Sequence, residues 1–130
     1  MTNNIIPISP ALIELLNKSG NQGVVPFTQE IFLLDLTVAG TSHIPNIEEL
    51  ADKIVPGTTL VLKRDPDNEY DEMAIALYLG DQRVGWVPMS LNLIIARLMD
   101  AGKAFVCRVN ESEWRHGHWF CIKAKLSMIE

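Results

Sequence analysis

The apolar positions of this chain follow two different rules on either side of residue 30. After Ser9, Pro10 takes a first helical position, and Leu12, Ile13, Leu15 and Leu16 share one face before Gly20 stops the run. That spacing predicts a short amphipathic helix. "NQGVVPF" then interrupts regular structure with Gly23 and Pro26. The chain therefore divides into an N-terminal helical extension, residues 1–29, and a domain over residues 30–130. So short a helix is marginal alone, which leads us to expect docking on the domain or self-association as a homodimer.

From Glu30 the blocks are short and rich in strand formers. "EIFLLDLTVAG" reads as a strand closed by Gly40, "NIEELADKI" as a short helix, and "TLVLKR" as a strand. "MAIALYL" and "VGWVP" form a hairpin around "GDQR", with Pro88 ending the second strand. "SLNLIIARLMDAGK" has Ser90 as an expected N-cap and Gly102 as a stop, and Leu91, Ile94, Ile95 and Leu98 mark the face expected to be buried. "AFVCRV" and "HWFCIKAKL" are the last strands, joined by a polar loop expected over residues 110–117. About six strands with two or three helices predict a mainly β fold, a small curved sheet or barrel with helices packed on it.

Composition adds little to that class: 130 residues, 48% hydrophobic and 21% charged, suit one globular domain. No apolar run approaches the length of a membrane span, and the first residues lack a basic start and cleavage site. Two cysteines make no disulfide framework. A cytoplasmic, reduced protein without membrane contact is expected. The net charge of −5 disfavours broad phosphate binding, but it is uneven: residues 101–130 carry five bases against three acids. Any nucleic-acid contact is expected to be small and focused.

Candidate chemistry concentrates in "KRDPDNEYDEMAIAL", residues 63–77, where five acids fall within eight positions. A calcium loop needs Gly at its sixth position and Glu at its twelfth; counted from Asp65 these are Tyr70 and Ala76. A catalytic carboxylate pair lacks a partner, since His43, His116 and His118 stand in no nucleophile or metalloprotease motif. Cys107, His116, His118 and Cys121 are zinc-ligand types, but strand alternation points Cys107 into the core and Cys121 outward beside Lys123 and Lys125. No cofactor, metal or catalysis is expected. Good turn chemistry in Asp65-Pro66-Asp67-Asn68 leaves open a purely structural loop.

The same stretch, Arg64-Asp65-Pro66-x-Asn68-x-Tyr70-Asp71, together with Val84-Gly85-Trp86-Val87-Pro88 and the preceding "LTVAGTSHI", resembles the HIRAN domain over about residues 31–127. The resemblance implies a modified OB-like, SH3-like β-barrel. It also implies a non-enzymatic module of fork-remodelling DNA translocases or free-standing bacterial proteins that binds the 3′ end of single-stranded DNA. By that resemblance Tyr70 stacks on the terminal base, Asp71 accepts from the 3′-OH, and Asn68 bonds the backbone or base edge. Arg64, His43 and Trp86 complete the implied DNA-binding set. Where family members offer cations, this chain has Ser42 and Met89. Implied partners are a single-stranded DNA end and a larger DNA-processing enzyme in repair or stalled-fork processing. The alternative is an accessory protein-interaction module without DNA binding.

Overall fold

A computed structural model describes residues 29–130, and the helix expected after Ser9 lies outside the described residues. Six antiparallel strands form the frame: β1 (Glu30–Thr37), β2 (Thr59–Arg64), β3 (Ile75–Leu79), β4 (Gln82–Trp86), β5 (Ala104–Arg115) and β6 (Trp119–Ile129). Their spatial order is β1-β6-β5-β2-β3-β4. Two helices, α1 (Ile47–Ala51) and α2 (Met89–Asp100), are added to it.

The spine is the β5–β6 hairpin, turned by His116 and Gly117 at φ 55° and 74°. β5 runs to Arg115 through the stretch expected as a loop. A register shift between Val109 and Glu111 lets the polar residues beyond continue the ladder, with Glu111 opposite Lys123 and Glu113 opposite Cys121. A polar outer face thus resembled a loop in sequence. In β2, Leu60 and Leu62 turn inward while Thr59, Val61 and Lys63 turn out, the alternation of a half-covered strand.

β2 pairs with β5 only at Thr59 and Leu60, then with β3 along Val61–Arg64, so the sheet bends sharply there. Past β1, Val38 N–H still donates to Ile122 O (2.9 Å). One residue later Ala39 and Trp86 exchange both backbone hydrogen bonds at 2.8 Å, joining the continuation of β1 to β4. The sheet is rolled by this single bridge into a barrel-like form without a full closing ladder. Gly85 permits the approach: a Cβ there would lie 2.6 Å from Ala39 O and collide with Val38 Cγ1. Leu36, Ile54, Leu60, Ile75, Leu77, Ile122 and Leu126 fill the interior.

Three expectations about local detail are corrected. Helix α2 starts at Met89 with Pro88 as N-cap rather than at a Ser90 cap, because a helix start has no use for the N–H that proline lacks. It ends as expected, with Gly102 N–H donating to Met99 O and Lys103 N–H to Leu98 O at 2.9 Å each, a closed C-terminal turn. Its buried positions are Asn92, Ile95 and Ala96, with Leu91, Leu98 and Met99 partly buried, whereas Ile94 is 69% exposed. Apolar residues surround most of this helix, so periodicity alone could not select the stripe. Cys121, expected to point outward beside Lys123 and Lys125, is only 2% exposed, a small side chain within the β5–β6 ladder opposite Glu113. Cys107 lies in the core as expected, and burial pushes its thiol up to about 12.

Candidate nucleic-acid interface

The loop from Asp65 to Ala74 folds around its own polar side chains. Asp65 N–H donates to Ala74 O (2.9 Å) and Ala74 N–H to Asp71 O (3.1 Å), which closes its base. Inside, Asn68 Oδ1 accepts from the N–H groups of Tyr70 (2.9 Å) and Asp71 (3.2 Å), and Asn68 Nδ2 donates to Asp65 Oδ2 (3.1 Å). Asn68 is therefore mostly spent on holding the two residues that follow. Asp71 Oδ1 accepts from Met73 N–H (2.9 Å) in a turn of the kind Asp favours.

Arg64 anchors the loop from beneath. Its guanidinium donates to Ala74 O (2.6 Å), Glu72 O (3.0 Å) and both oxygens of Asp100 on α2 (2.9 and 3.3 Å). Those bonds tie β2, the loop and the end of the helix together. Arg64 does not reach the hollow that the loop borders.

That hollow, about 580 Å³, is where the other residues meet. Asn68, Tyr70 and Asp71 line it from the loop, His43 from the turn after β1, Trp86 from β4, and Met89 and Asn92 from α2. Its size falls in the ordinary range for a small-molecule or nucleotide site. Tyr70 is 84% exposed, so the ring covers no core and stands free on the rim. His43 ends a one-turn 3₁₀ segment (Thr41–His43), which buried Thr41 pins by donating its hydroxyl to Phe120 O (2.9 Å). Trp86 lies flat on Gly40, where a Cβ would stand 2.5 Å from the ring.

Among the described residues, Asp71 is the one acidic side chain on this wall. Buried Asn92 donates to its Oδ2 at 2.7 Å, and Met73 N–H holds Oδ1. A carboxylate accepts about four hydrogen bonds, so half its capacity remains once its orientation is fixed. Among the described residues no cation pairs with it. The hollow therefore combines aromatic and apolar walls with one anchored acceptor. It suits a planar group that carries a neutral hydrogen-bond donor and disfavours an anion beside Asp71.

Sequence reasoning missed Asn92, which it read only as a helical position. A polar residue inside an otherwise apolar stripe was the available signal. It also missed Arg83 on β4, discussed below.

A HIRAN domain family model matches residues 31–125 of the chain. Among solved structures, a protein from Lactobacillus plantarum superposes with a TM-score of 0.72 at 23% identity, covering 79% of this chain and 98% of its own. The HIRAN domain of human HLTF superposes with a TM-score of 0.60 at 20% identity, covering 78% of each. At these identities the likeness is one of fold. No curated protein matches the chain.

Proposed function

The chain belongs to the HIRAN domain family, a family of DNA-binding modules, and from that premise we propose that it is a non-catalytic module recognising the free 3′-OH end of single-stranded DNA. The observation that carries this reading is Asp71, held by Met73 N–H and Asn92 with lone pairs to spare in a hollow shared with Tyr70 and Trp86. Tyr70 stacks on the terminal base, a contact worth roughly 1–3 kcal/mol. His43 and Trp86 supply the facing wall. Asp71 accepts from the sugar hydroxyl.

The same carboxylate excludes the wrong end. A 3′-phosphate or an internal phosphodiester brings negative charge to the place of a donor. At about 4 Å, unit charges repel by about 1 kcal/mol in bulk water and about 4 kcal/mol at a protein surface. Arg64 contributes by fixing the loop rather than by touching DNA, and Asn68 by aiming Tyr70 and Asp71. The family resemblance implies a place for this end preference in repair or stalled-fork processing, beside a larger enzyme.

Fluorescence anisotropy with oligonucleotides ending in 3′-OH, 3′-phosphate and a blocked sugar tests the reading. The 3′-OH strand should bind at least about fivefold more tightly than the phosphorylated one. Equal affinity for all three, or no binding at low salt, would refute it and leave the accessory-interaction role.

A further inference from the structure

A second hollow, of about 390 Å³, adjoins the first and shares His43 and Trp86 with it. Arg83 of β4 lines it, with its guanidinium 5.3 Å from the Trp86 ring and 5.6 Å from the Tyr78 ring. Arg83 Nη2 donates to Tyr78 Oη at 3.0 Å, which fixes the plane of the fork. Lys63 rests on the Tyr78 ring at 4.4 Å and adds positive charge to the same stack.

Arg64, Arg108 and Arg115 each reach a carboxylate at 2.8–2.9 Å. Arg83 has no such partner among the described residues. Its Nε and the neighbouring Trp86 Nε1 are buried without an acceptor, and such donors are rare in native structures. A guanidinium that lines a hollow, is held in place by Tyr78 and has no carboxylate partner suits an oxyanion. The Trp86 ring divides this cation from the hollow of Asp71. That separation resolves a conflict within the site, since a hydroxyl acceptor and a phosphate binder cannot share one wall without weakening both.

We infer that Arg83 forms a second subsite, taking the phosphodiester that joins the terminal nucleotide to the one before it. The inference rests on the strand end occupying the first hollow. It supplies from β4 the phosphate contact that Ser42 and Met89 cannot make. Asp81 also lines the second hollow and opposes the same phosphate, so its charge keeps the subsite weak.

Anisotropy titrations over a salt series test this with a 3′-OH oligothymidylate and its analogue carrying one neutral methylphosphonate at the last linkage. Arg83→Gln should weaken binding about tenfold and lower the slope of log affinity against log salt by about 0.7. The preference for 3′-OH over 3′-phosphate should survive. The neutral linkage should cost wild type the same factor and Arg83→Gln nothing further. Arg83→Lys should restore the slope, which a merely structural role would not predict.

An unchanged slope in Arg83→Gln, or equal losses from the neutral linkage in both proteins, would overturn the subsite while leaving end recognition standing. Equal affinity for the 3′-OH and 3′-phosphate strands with the Arg83 coupling intact would overturn end recognition while leaving the Arg83 contact to the last linkage standing. Absence of DNA binding would overturn both.

Discussion

Replacing Asn92 by Ala tests whether the acceptor in the first hollow is positioned or merely present. Asn92 is 3% exposed, and its Nδ2 donates to Asp71 Oδ2 at 2.7 Å, from a helix 21 residues further along the chain. A hydrogen bond to a charged group contributes about 1.5–3 kcal/mol. Asp71 is half-buried beside an open hollow, so water reaches the freed oxygen and the loss falls near the lower figure, about 1.5 kcal/mol. The vacated side-chain volume adds about 1 kcal/mol. Urea unfolding followed by tryptophan fluorescence should then show Asn92→Ala less stable by about 2.5 kcal/mol.

The bond itself is isolated by a double-mutant cycle with Asp71→Ala, in which a coupling energy of about 1.5 kcal/mol is expected. Function should change selectively. Without Asn92 the carboxylate turns about its bond, so preference for 3′-OH over 3′-phosphate should fall several-fold while affinity for the phosphorylated strand hardly moves. A coupling energy below about 0.5 kcal/mol, the level of independent sites, would refute the reasoning. So would an Asn92→Ala protein that keeps full discrimination.

Arg64→Met should cost about 2 kcal/mol of stability, chiefly through its backbone carbonyl partners, because the Asp100 carboxylate is solvent-exposed and the ion pair adds little. Its salt dependence of DNA binding should match wild type, in contrast to Arg83→Gln. Gly85→Ala should destabilise by about 3 kcal/mol or more in the same urea assay, because a methyl group there parts the Ala39–Trp86 bridge. Cys107 gives a pH signature. Its thiol rises from 9.0 to about 12 in the folded state, so above pH 9 the unfolded chain releases a proton that the folded one keeps. Stability should fall between pH 9 and 12 by up to about 1.4 kcal/mol per unit, and Cys107→Ala should lack that part of the decline.

Much of the frame is legible in the residues. Strand β2 begins and ends where "TLVLKR" does, and Gly102 closes α2 as its position requires. These are local matters, decided by alternation and turn chemistry. The motif from Arg64 to Asp71 likewise marked the loop that borders the hollow, because Asn68 and Asp71 bond mostly to their immediate neighbours.

Tertiary structure decided which face of each element became interior and which polar groups met across the chain. Periodicity in α2 fitted several stripes, and the one that packs carries Asn92 inward to Asp71 while leaving Ile94 in solvent. Arg64 and Arg83 are both strand arginines in sequence. One finds Asp100 and two carbonyls and becomes a brace, whereas the other finds two aromatic rings and the Tyr78 hydroxyl but, among the described residues, no carboxylate. The physical reason is the same in each case. Alternation fixes the direction of a side chain relative to its own backbone, but its partners are supplied by elements tens of residues away, and only folding brings those together.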